Sequence, residues 1–340
     1  MRKLLNTLYI TTPESYLSKD GMNVVVSVKQ KEVFRISVLN IEGIVTFGYM
    51  GASPGLMKLC SDNGISLTFL SPQGRFISRM QGPTKGNVLL RTKQYRLAED
   101  KDFAMHISRL FIAGKIQNYR NILQRFNRDN GGNPVVENVV TKLDYSKRQV
   151  LKTNDFDELR GVEGEAANAY FSSFPQLILN KKDVFCFTER NRRPPKDAVN
   201  AMLSFVYTLI ANEMAAALES VGLDPYVGFL HVLRPGRVSL ALDMMEELRA
   251  YLGDRLVLSL INRRQISERD FLRQGDESVL MTDDCRKLLL TSWQARKKEL
   301  ITHPYLNEKI PIGLLPYVQA MLLARFIRGE IDDYPVFLIK

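Results

Sequence analysis

The sequence predicts an α+β protein, a small N-terminal antiparallel β domain followed by a larger, mainly α-helical catalytic domain, on three observations. Up to about residue 85, apolar residues alternate with polar ones at the strand period. From Leu89 onward they recur at the helical period. Between the two regimes lies Gly82-Pro83-Thr84-Lys85-Gly86, a run that interrupts regular structure. The implied domains are 1–85 and 86–340, and with 45% hydrophobic residues in a chain of 340 each can bury a core of its own.

In the first domain the strand pattern falls on Asn23–Val28, Val33–Val38, Ile41–Phe47 and Ile65–Leu70, with turns at Asp20-Gly21, Asn63-Gly64 and Gln73-Gly74. Pro54–Cys60 reads as a short helix lodged among them. Beyond the break, helices are predicted at Leu89–Phe126, about Gly164–Phe174, Ala198–Val221, Ala241–Leu252 and Gly313–Arg328. The run Asn127–Pro134 concentrates turn formers and reads as a loop.

Charge narrows the function. Lys plus Arg number 47 against 37 for Asp plus Glu, a net charge of +10 that suits a polyanionic partner. The excess is clustered, with Lys181, Lys182, Arg190, Arg192, Arg193 and Lys196 facing only Asp183 and Glu189 in that stretch. Three cysteines without metal-type spacing argue against a disulfide scaffold or a zinc finger and fit a reducing cytoplasm. No signal peptide is legible at the N-terminus. The best C-terminal apolar stretch is interrupted by Pro316, Gln319 and Arg325, so a soluble, cytoplasmic protein with no membrane association is expected.

The sharpest signal runs from Tyr226 to Arg264. Gly228-Phe229-Leu230-His231 leads into the turn Arg234-Pro235-Gly236-Arg237, and then into Ser239-Leu240-Ala241-Leu242-Asp243-Met244-Met245-Glu246-Glu247. A histidine shortly before an acidic helix offers one imidazole and several carboxylates to a divalent ion, and the intervening arginines offer charge to a phosphate. On a helical wheel Glu246 lies opposite the apolar arc of Met244, Met245, Leu248, Tyr251 and Leu252, with Asp243 on the same polar side and Glu247 nearer the apolar edge. By itself this is also the pattern of a solvated helix face. A third ligand candidate is Glu163, flanked by Gly161 and Gly164 at the entrance to an alanine-rich helix, where Glu163 and Glu165 could equally serve the helix dipole. His106 and His303 read as structural.

Taken with Gly161-Val162-Glu163-Gly164, Ala166-Ala167 and Tyr170-Phe171, these residues resemble the CRISPR-associated integrase and endonuclease family, Cas1. Arg192–Asp197 leading into Asn200–Phe205, and Lys115-Ile116-Gln117-Asn118-Tyr119-Arg120, agree with it. The resemblance spans nearly the whole chain, and the segment Pro304–Lys340 is like that of the type I-C branch.

The resemblance implies that Glu163, His231 and Glu246 form a metal-binding triad, with Asp243 a further acidic position near the metal. Two carboxylates and an imidazole favour Mg²⁺ or Mn²⁺. It also implies attack by the 3′-hydroxyl of a prespacer DNA end on the CRISPR repeat, a transesterification that inserts the prespacer into the array. The implied partners are double-stranded DNA with single-stranded 3′ ends, the CRISPR repeat, a Cas2 protein and a second copy of the chain, joined largely through the β domain. Arg192, Arg193, Arg234, Arg237 and Arg249 are candidates for phosphate contacts by charge and neighbourhood. Val232 and Leu233 depart from the family, being more apolar than the small or polar residues expected there. Two other readings stay open: a casposase-like integrase outside CRISPR immunity, and a non-catalytic DNA-binding protein.

Overall fold

The computed structural model describes every residue except 1–5, 49, 73–75, 81, 83–86, 181, 193, 276 and 340. The predicted turn Gln73-Gly74 and residues 83–86 of the predicted break lie outside the described residues. The chain divides into two compact units, residues 1–86, 281–300 and 311–314 forming one, and residues 87–280, 301–310 and 315–340 the other.

The first unit is built from β1 (Thr7–Ile10), β2 (Ser15–Asp20), β3 (Asn23–Val28), β4 (Lys31–Ser37), β5 (Gly43–Phe47), β6 (Gly51–Ala52), α1 (Pro54–Asp62), β7 (Ser66–Leu70) and β8 (Phe76–Met80). They make two four-stranded sheets, in the orders β1-β5-β7-β8 and β4-β3-β2-β6. The sheets are mixed rather than antiparallel as the sequence suggested: β1 pairs with β5, β5 with β7, and β2 with β6, all in parallel. The cause is α1. Ser53 caps its first turn, Pro54 starts it, and the helix carries the chain back so that β7 can run alongside β5 in the same direction. The hairpins β2–β3 and β3–β4 are antiparallel. The first turns at Gly21 (φ +55°), and the second needs no glycine, since Lys29 and Gln30 both adopt positive φ. Leu17, Val24, Val26, Ile44, Leu56, Cys60 and Leu67 form the core.

In the second unit the single helix predicted over Leu89–Phe126 is two, α2 (Val88–Glu99) and α3 (Lys101–Asp129). Asp100 divides them by accepting the N–H groups of Asp102 and Phe103 as an N-cap. An unpredicted helix, α4 (Pro134–Val150), starts where the loop was read to end, capped by Asn133 with Pro134 in its first turn. Asp155 caps α5 (Phe156–Leu177), and Asp197 caps α6 (Ala198–Val221), which ends on Gly222 at φ +89°. Next come α7 (Ser239–Leu248), a π-helical turn over Arg249–Asp254, and α8 (Arg255–Asn262). A further unpredicted helix, α9 (Asp283–Lys297), belongs to the first unit. The last helix, α10 (Leu315–Arg328), returns to the second. By length and composition α6 could cross a membrane, but 67% of its apolar window is buried as a core helix. Helix α3 packs against α5 and α7, α7 also packs against α6, and the candidate site lies where α3 meets α5 and α7.

Candidate functional site

Helix α7 has no solvated face. Asp243, Glu246 and Glu247 are all buried, at 0%, 4% and 0% exposure, so the acidic stripe is an interior feature and each carboxylate must be satisfied by the protein.

Asp243 is satisfied by the loop before its own helix. Its Oδ2 accepts the backbone N–H groups of Phe229 (2.7 Å) and Leu230 (3.0 Å), and its Oδ1 accepts that of His231 (3.0 Å). The same Oδ1 lies 2.5 Å from His231 Nδ1. Gly228 is obligatory here, because a Cβ at that position would stand 2.6 Å from Asp243 Oδ2. Asp243 therefore fixes the histidine, and the lone pair of Nε2 is the one left for a ligand.

Glu246 lies in a pocket of positive charge. Arg249 Nη2 sits 2.8 Å from its Oε1, and Lys115 Nζ, from α3, 2.8 Å from its Oε2. Lys115 also pairs with Glu163 of α5. Burial raises the Glu246 pKa, but Arg249, Lys115 and His231 outweigh it and hold the carboxyl well below the usual carboxylate range. Lys115 is itself only 3% exposed, and its ammonium 5.7 Å from the Tyr119 ring centre is packed against an aromatic wall.

Glu163 does not stand at a helix entrance. It occupies the interior of α5, which begins at Phe156, so the helix-dipole reading of Glu163 and Glu165 falls. Gly161 and Gly164 are likewise helix-interior, and a Cβ on either would meet nothing within 4 Å. No protein neighbour requires those glycines. They bare the flank of α5 on either side of Glu163.

The structure thus joins Glu163 and Glu246 through one ammonium and holds His231 close enough for its charge to act on Glu246. Among the described residues, no three acidic, histidine or cysteine side chains converge tightly enough to form a finished metal cluster. Glu246 Oε2 is buried and, despite the nearby ammonium, lacks an aligned hydrogen bond. Two carboxylates, one imidazole with a free nitrogen and an under-satisfied oxygen fit a hard divalent cation.

The arginine candidates separate. Arg192 and Arg234 are exposed and Arg237 half-buried. Arg193 lies outside the described residues. Arg249, expected at the phosphates, is corrected to an interior role: it is 8% exposed, paired with Glu246, and its guanidinium carbon lies 5.2 Å from the Tyr207 ring centre.

Three features carried no clear sequence signal. Lys115 belonged to a matched stretch without an assigned role, although a lysine between Ile112 and Ile116 on an apolar helix face was a hint. Asp254, ending the π-helical turn, accepts the hydroxyls of Tyr207 (2.5 Å) and Tyr170 (3.0 Å), and burial raises its pKa to about 6 against those bonds. Glu247 accepts from Tyr334, from Gln319 Nε2 (2.9 Å) and from the Phe337 N–H (2.6 Å), with burial raising its pKa to about 7. Asn118 donates to the carbonyls of Glu247 (2.7 Å) and Phe337 (2.8 Å), so residues 334–339 are tied to the helix that carries Glu246. His303 belongs to the same network through Gln319 (3.0 Å), and His106 pairs with Asp333 (2.9 Å), which gives both a structural place.

Residues 8–295 match the family model described as CRISPR associated protein Cas1. A Chlorobaculum tepidum protein named CRISPR-associated endonuclease Cas1 1 is 50% identical over 341 residues, 99% of each chain. A Rhodospirillum rubrum protein named CRISPR-associated endonuclease Cas1 2 is 47% identical over 347 residues, 100% of each. Among solved structures, a Cas1 protein from Thermotoga maritima matches 98% of this chain and 100% of its own with a TM-score of 0.82 at 23% identity. A casposase bound to integration product matches 97% and 92% with a TM-score of 0.83 at 22% identity. At those identities the two structures speak to the fold.

Proposed function

The chain belongs to the CRISPR-associated Cas1 family, and on that premise we propose that it is the divalent-metal-dependent endonuclease and integrase of CRISPR adaptation, with Glu163, His231 and Glu246 as ligands of one Mg²⁺ or Mn²⁺ ion. The observation that carries this reading is the ammonium of Lys115 shared by Glu163 and Glu246, which marks where α5 and α7 concentrate negative charge for a cation.

When bound, such an ion supplies Lewis acidity at the scissile phosphate and charge neutralisation at the oxygens that attack and leave. The protein's own groups do the rest. Asp243 Oδ1 accepts a hydrogen bond from His231 Nδ1 and holds the ring, so that Nε2 is the nitrogen that would ligate a bound cation. Arg249 balances Glu246 from within the fold. Arg192, Arg234 and Arg237 draw phosphates towards the site, with Arg193 a further candidate by charge. In the reaction, a 3′-hydroxyl forms a new phosphodiester bond while the repeat's own bond breaks and releases another 3′-hydroxyl. The number of phosphodiester bonds is unchanged. With water as nucleophile the same step is endonucleolytic.

The partners in this reading are double-stranded DNA with single-stranded 3′ ends, the CRISPR repeat and Cas2. A Cas6-RT-Cas1–Cas2 complex has a chain of this fold, which supports the last. A homodimer through the β unit is supported by exposed Val33 and Phe34 on edge strand β4, and Phe76 and Ile77 on edge strand β8. We assign the chain to the type I-C branch on its C-terminal segment, and to the cytoplasm on three cysteines that lack metal-type spacing.

The function is tested by mixing the protein, Cas2 and Mn²⁺ with a prespacer duplex and a plasmid carrying the array. Covalent joining of both 3′ ends at the repeat, abolished by chelator, is the expected result. Joining of both ends without Cas2 would favour a casposase-like enzyme. DNA binding without any metal-dependent joining would leave a non-catalytic DNA-binding protein.

A further inference from the structure

Val232 and Leu233 follow directly on His231, and both project into solvent, at 56% and 58% exposure. Their loop is held at both ends. Before it, Asp243 takes the N–H groups of Phe229, Leu230 and His231. After it, the Arg237 N–H bonds to the Arg234 carbonyl (3.0 Å) and the Ser239 N–H to the Arg237 carbonyl (2.9 Å), with Gly236 at φ +76° closing the turn. Across its base Ser239 Oγ reaches the Val232 carbonyl at 3.5 Å. Two large apolar side chains are thus presented outward by a braced loop, with His231 on one side and the exposed Arg234 on the other.

A loop serving phosphates alone would gain nothing from valine and leucine. Arginines bring a nucleic-acid backbone to this spot, and the apolar surface that a duplex can then offer is the face of its bases. Uncovering that face requires opening a base step, which bends the strand and turns its phosphate towards an attacking group. We propose that Val232 and Leu233 form an apolar wedge that enters the base stack of the target duplex beside the scissile phosphate. The wedge rests on the catalytic reading of His231 and its neighbours, and it adds a residue pair that opens the DNA rather than one that binds metal.

The experiment uses a target duplex with 2-aminopurine next to the joining site, the wild-type chain and a Val232→Ser/Leu233→Ser variant, each with Cas2, prespacer and Mn²⁺. Both positions are exposed, and unchanged thermal melting checks the fold. Wild type should raise 2-aminopurine fluorescence by about threefold as the step unstacks. The variant should give less than half of that rise, bind the duplex with a Kd within about threefold of wild type, and join it about tenfold more slowly. A target with a mismatch at that step, already unstacked, should restore the variant's rate.

Equal fluorescence and equal rates for the two proteins, or a variant whose slow joining is not rescued by the mismatch, would overturn the wedge. A variant that loses Cas2 assembly while opening the DNA normally would make the loop a protein contact, and would overturn it too. A wild-type chain that joins neither target would instead remove the catalytic reading beneath it.

Discussion

Asp243 holds His231 twice, its Oδ1 accepting from the ring Nδ1 at 2.5 Å and from the backbone N–H at 3.0 Å. One carboxylate thereby sets both the orientation and the tautomer of the imidazole. Asp243→Asn keeps the shape but replaces an oxygen with an amide donor that faces N–H groups. We expect Mn²⁺ affinity and strand transfer to fall by about 10- to 100-fold, with a stability loss of about 1–3 kcal/mol from the unsatisfied loop. Calorimetric Mn²⁺ titration beside thermal melting checks it. Wild-type affinity in a folded Asp243→Asn chain would mean that the orientation of His231 does not matter.

Lys115 is the cation that Glu163 and Glu246 share in this structure. Lys115→Met removes it and leaves two carboxylates facing one another, with Arg249 still ion-paired to Glu246. The metal-free protein should melt lower than wild type, and saturating Mn²⁺ should raise its melting temperature by more than it raises that of wild type. Equal metal-induced shifts in the two proteins would separate Lys115 from the ion's place.

The arginines should divide by location. Arg192→Ala or Arg234→Ala should each lower the slope of log DNA affinity against log salt by about 0.9, as for a lost phosphate contact. Arg249→Ala should leave that slope unchanged and reduce joining, because its guanidinium is spent on Glu246. A reduced slope for Arg249→Ala would return it to the DNA.

Asp254 gives a pH signature. Its folded pKa is raised to about 6 by burial, above an unfolded value of about 3.9. The protonated form is the one the fold favours, so this contribution is fully present below about pH 4 and is lost as pH rises through about 6. Its size is on the order of 3 kcal/mol, from about two pKa units. Denaturant melts of wild type and Asp254→Asn should therefore converge or cross between pH 4 and 7, wild type losing ground as pH rises. A pH-independent difference would mean that Asp254 titrates normally.

Gly164→Ala tests the bare flank of α5. The added methyl meets no protein atom, so the helix should gain about 0.5–1 kcal/mol. If DNA uses that space, joining slows while the melting temperature rises. A stabler protein with an unchanged joining rate would leave the glycine without a role in the reaction.

What the sequence made legible follows from where the physics is local. The span of α6 could be read because Asp197 and Gly222 cap it at residues whose side-chain chemistry acts within one turn. The split between α2 and α3 was hidden because Asp100 suits both a helix surface and an N-cap, and periodicity does not distinguish them. Parallel pairing in the β unit was hidden because strand alternation carries no direction; for β7 that direction is set by α1. In the site, His231 and Glu246 stood out by residue type and order. The role of Lys115 depended on α3 meeting α5 and α7, and a wheel drawn for α7 alone assigned Asp243 and Glu246 to a polar face that the fold buries. Arg249 was misread for the same reason.

The most direct test of the account is an anomalous diffraction map of crystals soaked in Mn²⁺. It should show one peak within coordination distance of a Glu163 oxygen, His231 Nε2 and a Glu246 oxygen, with the Lys115 ammonium moved aside, and no such peak in a Glu163→Ala crystal. A Mn²⁺ peak elsewhere in the fold, or one that persists unchanged after Glu163→Ala, would contradict it.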